Sequence, residues 1–209
     1  LIWTNTGTGA LLTAVEGAVY HTRKGDIVTS PLEHPALESV LRRVAQREGR
    51  ALHFCKAGRD GQLDLDSLEA VLNENTALLA VHHVQSETGT LQDLKAIRGI
   101  LDRKAPNAVF LADTIQSIGK IRVPWTEARL DIMTLSGQKI GCPSGGALVY
   151  RPVLDKSMKR IRTLEHRIGR CVPAAAMTVA NHLSELLLEI DENAVYAAEL
   201  KDTLRTCLE

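Results

Sequence analysis

The 209-residue chain carries 44% apolar and 24% charged side chains, with 25 Lys+Arg set against 25 Asp+Glu. This is the composition of a globular protein with a sizeable core, and it excludes a disordered chain or a collagen-like fibre. Zero net charge gives no support to nucleic-acid or membrane-surface binding, and no segment reaches the ~18 consecutive apolar residues of a membrane-spanning helix.

The chain opens with "LIWT", a strand, then turns through small residues into the helix "GALLTAVEGAVYHTRKG". That helix ends at Gly25, with basic residues near its C-terminus where the dipole favours them. There is no starting Met and no basic leader, so this is not a signal peptide, and the chain reads as part of a longer protein. "DIVTS" is the next strand. "HPALESVLRRVAQREG" is an amphipathic helix with Leu37, Val40, Leu41 and Val44 on one face and Gly49 as its stop. "ALHFCKA" is a strand, and "DLDSLEAVLNEN" is a helix capped by Asp64 or Asp66. "TALLAVHHV" is a buried strand and "LQDLKAIRGILDRKA" a helix. "AVFLADT", "DIMTLS" and "GALVYR" are strands, and from "VPAAAMTVANHLSELLLEI" onward the pattern is helical. The basic stretch 151–167 reads as a solvated connector, with a domain edge or a lid as alternatives.

Helices alternating with continuous apolar strands predict an α/β fold: a mostly parallel sheet with helices on both faces. Four cysteines, Cys55, Cys142, Cys171 and Cys207, form no CxxC pair. They read as reduced thiols of a cytoplasmic, or organellar, enzyme.

In such a sheet, ligands bind at the carboxyl ends of the strands. Five strand ends here deliver Thr8 (beside Thr6 and the Gly7 and Gly9 turn), His34, Gln85 with Ser86 and Glu87, Asp113 with Gln116, and Ser136 with Gln138 and Lys139. The first turn, running into a helix with exposed amides and hydroxyls, suits a phosphate. One Asp and one His are too few for a metal site. No GxSxG elbow marks a Ser–His–Asp hydrolase. A lysine and an acid at neighbouring strand ends suit an aldehyde cofactor, the amine forming a Schiff base and the acid holding a pyridinium nitrogen protonated.

The ordered blocks "PLEHPAL", "HHVQSETGTLQDL", "ADTIQSIGKIRV" and "DIMTLSGQKIGCPSGGALVYR" resemble the cysteine desulfurases of the class V, fold type I pyridoxal-phosphate enzymes, over roughly residues 1–180. Selenocysteine lyases share these blocks. The resemblance implies that residues 1–180 are a cofactor-binding large domain and that 181–209 lead towards a small C-terminal domain outside this chain. It implies pyridoxal 5'-phosphate as cofactor and removal of sulfur from L-cysteine, or of selenium from selenocysteine. It further implies a homodimer, a sulfur-acceptor protein and a link to iron–sulfur cluster assembly, with no nucleic acid, membrane or metal as partner. By the same resemblance Lys139 is the Schiff-base lysine and proton shuttle. Asp113 pairs with the pyridine nitrogen, Gln116 bonds the ring 3-oxygen, and His34 stacks on the ring and relays protons. Thr8 and Ser136, helped by the turn of Gly7 and Gly9, hold the phosphate.

Several positions depart from the family pattern. Gln138 replaces a histidine that donates to the phosphate, Ser86 replaces an asparagine, and Thr8–Gly9 stands for Thr–Glu. "RIGRCVP" replaces an Arg-Ser-Gly-Thr block, with Cys171 at about the Thr and Arg167 and Arg170 as approximate matches to its arginine. The family's sulfur-carrying cysteine and substrate-carboxylate arginine fall beyond this chain. Cys142, three residues past Lys139, reads as a small buried filler. These departures keep two alternatives open: a catalytically silent relative serving as a scaffold subunit, and a transaminase or lyase of the same fold.

Overall fold

The computed structural model of the protein describes residues 1–162 and 172–208, and its strands join in a single sheet. These are β1 (Ile2–Thr4), β2 (Asp26–Thr29), β3 (Leu52–Phe54), β4 (Thr76–His82), β5 (Val109–Asp113), β6 (Ile132–Ser136) and β7 (Gly146–Tyr150), in the order β1-β7-β6-β5-β4-β2-β3. Strands β3, β2, β4, β5 and β6 run parallel. Strand β7 is antiparallel to both β1 and β6. The fold is therefore α/β and mostly parallel, as the alternation of elements requires.

Burial on both faces explains why β4 is apolar from Ala77 to Val81 and β5 from Val109 to Ala112. Leu78 and Ala80 of β4, with Val109 and Leu111 of β5, pack beneath α1 (Gly7–Thr22) and α2 (Pro35–Glu48). Leu79 and Val81, with Phe110 and Ala112, pack on the opposite face under α3 (Leu65–Val71) and α4 (Leu94–Lys104). A strand buried on both faces has no solvent side on which to place polar residues. Helix starts follow the local chemistry. Thr6 caps α1 by accepting from the Gly9 amide, and Asp64 caps α3 by accepting from Ser67. Asp93 caps α4 through the Lys95 and Ala96 amides. Helix α1 thus begins at Gly7, two residues before the sequence pattern suggests. Strand β3 is limited to three residues of the longer apolar run.

Within the stretch 151–167, residues 151–162 depart from the expected solvated connector, and 163–167 lie outside the described residues. Residues Asp155–Arg162 form helix α5, whose Met158 and Ile161 are buried together with Leu154 of the preceding turn. Lys156, Lys159 and Arg160 are exposed, with Lys159 paired to Asp155 at 2.6 Å. The helix crosses α1 at Gly17, where a Cβ would lie 2.3 Å from the Met158 sulfur. Helices α6 (Pro173–Leu188) and α7 (Ile190–Leu208) follow. Val179 of α6 packs against Ile118, Leu135, Ile140 and Ala147.

Because Met158 is fully enclosed, Met158→Ala is expected to lower stability by about 2–5 kcal/mol. Urea denaturation reads this directly, and an unchanged midpoint would remove α5 from the core.

Candidate active site

The same parity that buries β4 and β5 selects which side chains stand at their carboxyl ends. His82 continues the Leu78–Ala80 row, and Asp113 continues the Val109–Leu111 row. The two are register partners across neighbouring strands. On β6, Thr134 and Ser136 continue the row that begins at buried Ile132. Polar groups therefore appear where each strand leaves the core, all on the α1/α2 side of the sheet.

Here the structure encloses a cavity of about 310 Å³. Gly7, Thr8, His34, Ser86, Asp113, Gln116, Ser136, Gln138 and Lys139 all line it. Thr6, Leu32, His82, Val84 and Ile115 complete the wall. His82 is the polar member that sequence reasoning passed over. Its place in the Leu78–Ala80–His82 row is the signal that could have found it. Gln85 instead organises the turn after β4: its Oε1 accepts from the Glu87 and Thr88 amides at 2.5 and 2.7 Å. Glu87 is exposed outside the cavity. Cys142 is buried against Gly137, and its desolvation raises its pKa, as suits a filler. Cys171, Arg167 and Arg170 lie outside the described residues.

Lys139 sits in a single 3-10 turn, Gly137–Ile140, directly after β6. Gly141 ends the turn with φ of 92°, a conformation that β-carbon-bearing residues rarely adopt. The Gly137 amide donates to Gly145 and the Gly145 amide donates to Asn5, so the lysine-bearing loop is tied to the chain that enters α1. Glycines make that approach possible. A Cβ on Gly146 would lie 2.4 Å from the Thr6 carbonyl oxygen, and one on Gly7 would lie 2.8 Å from Ser136 Cβ. The first turn of α1 is thereby pressed against the end of β6. Its early amides, Thr8 and Ser136 converge on one wall, a donor set that suits a phosphate.

Asp113 is 6% exposed. Burial pushes its carboxyl up to about 6; the bond from the Ile115 amide opposes this, the nearby charge of Glu33 adds to it, and Thr134 and His34 oppose it. Both of its hydrogen bonds, from the Ile115 amide at 3.0 Å and the Thr134 hydroxyl at 3.1 Å, fall on Oδ1. Oδ2 takes none among the described residues, so the wall presents one unsaturated carboxylate oxygen. That oxygen fits a cationic N–H, and a protonated pyridine supplies one. His34 is held from its other side: its Nδ1 accepts from the Ala36 amide at 3.1 Å and caps α2. In the neutral ring the proton is then on Nε2.

The aminotransferase class-V family model matches residues 1–181, and the chain belongs to that family. A cysteine desulfurase of Nostoc sp. is 35% identical over 153 residues, which are 72% of this chain and 38% of that protein. The cysteine desulfurase IscS of Pseudomonas fluorescens is 31% identical over 184 residues, 87% of this chain and 44% of its own length. The chain thus spans about two fifths of the length of these curated relatives. Among solved structures, DndA from Streptomyces lividans superposes with a TM-score of 0.81 at 26% identity, covering 98% of this chain and 60% of that one. SspA in complex with cysteine superposes at 0.65 with 25% identity, covering 72% of this chain and 44% of that one. Members of the family are generally pyridoxal-phosphate enzymes.

Asp113 gives the cofactor-free chain a defined pH dependence. Its folded value near 6 lies above the ordinary 3.8, so folding binds the proton more tightly. That contribution to stability is full below about pH 3.8 and is lost as pH rises through about 6. Asp113→Asn is therefore expected to exceed the parent chain in stability by about 3 kcal/mol above pH 7, with the gap closing towards pH 4. Urea titrations across this range measure it, and a gap independent of pH contradicts the assignment.

Proposed function

We propose that this chain is the cofactor-binding part of a pyridoxal-phosphate-dependent cysteine desulfurase. The observation that carries the reading is one cavity lined together by Lys139, the buried Asp113 and the first turn of α1. Similarity to proteins named cysteine desulfurase, and to SspA determined with cysteine, supports cysteine as the substrate.

Pyridoxal phosphate, when bound, supplies an aldehyde that condenses with amines and a ring that withdraws electrons from the attached carbon. The Gly7 and Thr8 amides with the Thr8 and Ser136 hydroxyls would hold its phosphate, and Gln138 would add a neutral amide donor in place of a charged one. Asp113 Oδ2 would accept the ring N–H, and the cation would in turn draw the carboxyl back to its ionised form. Ser86 and Gln116 would face the ring's polar edge, and His34 would cover one face. Lys139 Nζ would hold the aldehyde at rest. Once displaced by the substrate amine, it would carry the proton removed from Cα. The sulfur would then pass to a cysteine thiol and on to an acceptor protein, with iron–sulfur cluster assembly as a destination. We also propose a homodimer in a cytoplasmic or organellar setting. Leu188, Tyr196, Leu200 and Leu204 of α6 and α7 are more than half exposed and support a further packing surface there.

Titration with pyridoxal phosphate is expected to give the visible absorption band of a lysine-linked pyridoxal, lost in Lys139→Ala. Gly7→Ala, which drives a methyl into Ser136, is expected to weaken cofactor binding at least about tenfold, or ~1.4 kcal/mol. A parent chain that gives no band contradicts the reading.

A further inference from the structure

We propose that His82 is a positioning residue that locks the Ser30–His34 loop through Glu33 and so holds the His34 imidazole at the cavity. The inference rests on the cofactor-site reading above for its functional meaning, but its geometry stands apart from it.

The chain of bonds begins outside the cavity. Gln92 is oriented from both ends: its Oε1 accepts from the Leu63 amide at 3.0 Å, and its Nε2 donates to the Gly61 carbonyl at 2.8 Å. The same amide nitrogen lies 3.1 Å from His82 Nε2. An amide nitrogen only donates, so His82 Nε2 must accept. The imidazole proton is then on Nδ1, which lies 2.9 Å from Glu33 Oε1 and donates to it. Glu33 Oε1 also accepts from the Ser30 hydroxyl, and the Ser30 oxygen accepts from the Leu32 amide at 3.2 Å. One carboxylate oxygen thus closes the turn 30–33 and fastens it to the end of β4.

The next residue is His34. Its Nδ1 is already committed to the Ala36 amide at the start of α2, and the loop that leads into it is anchored one residue earlier by Glu33. The side chains of Glu33 and His82 are 0% and 4% exposed. Glu33 Oε2 is buried with no partner among the described residues. A buried carboxylate oxygen left unpaired is destabilising, and an apolar pair of the same volume would hold a loop without that cost. A polar tie gives what apolar packing does not: a single orientation, set by the tautomer. It also places the Glu33 charge where it acts on Asp113, the register partner of His82.

The test uses the cofactor-free full chain, selectively labelled with ¹⁵N-histidine. At pH 7 the His82 ring is expected to show a protonated Nδ1 and an unprotonated Nε2, and His34 a single set of ring signals. His82→Asn places an amide nitrogen near the former Nδ1 and is expected to keep the His34 signals. His82→Gln places its amide near the former Nε2, loses the donor to Glu33, and is expected to broaden or split them. Pyridoxal phosphate is expected to bind His82→Gln at least about tenfold more weakly than His82→Asn. An Nε2-protonated His82 in the parent chain, or equal His34 signals in the two variants, overturns the proposal. Absence of a cofactor band in the parent chain counts against the proposed function alone, because the ring signals still decide the positioning role.

Discussion

The site depends on a carboxylate that the fold keeps out of water. Asp113 ends a strand enclosed on both faces, accepts hydrogen bonds on one oxygen and holds its proton up to about pH 6. A carboxyl in that state is unfavourable at neutral pH unless a cation arrives. The remaining features of the cavity fit such a cation's carrier. The α1 amides and two hydroxyls stand at one wall, an amine stands on the loop after β6, and an imidazole sits on the loop after β2. The protein tolerates a local cost at Asp113 so that binding can release it.

Close backbone approach is the second constraint. Parallel strands β2, β4, β5 and β6 align their carboxyl ends, but alignment alone leaves a wide mouth. Strand β7 turns back antiparallel between β6 and β1, and Gly146 lets it press on the Thr6 carbonyl. Gly7 lets α1 settle on Ser136. Two missing methyl groups therefore set the distance between the donor wall and the lysine loop. The ties from Gly137 to Gly145 and from Gly145 to Asn5 keep it there.

Much of this is legible in the sequence because a doubly covered parallel sheet writes itself as apolar runs ending in polar residues. "AVFLAD" and "TALLAVHH" declare both the strand and its exit point. Helix α5 was hidden for a physical reason. Its apolar contribution is only Met158 and Ile161, one turn apart, within a run of Lys and Arg whose charges dominate the composition. His82 was hidden differently. Beside His83 it reads as one of a pair, and only strand parity separates the ring on the cavity wall from its neighbour. His83 is buried, with Nδ1 unpaired among the described residues, and desolvation lowers its pKa to about 4. Strand pattern alone does not separate Gln85 from Ser86, which only the family resemblance singled out; hydrogen bonding within the turn decides which of them faces the cavity.

The central claim is that Asp113 keeps the nitrogen of a bound pyridine ring protonated. Reconstituting the protein with pyridoxal phosphate labelled with ¹⁵N in the ring, and recording the nitrogen shift between pH 6 and 9, tests it most directly. The account predicts a pyridinium-type shift throughout that range, replaced in Asp113→Ala by a free-pyridine shift. A ring nitrogen already unprotonated in the parent protein at pH 7 would contradict it.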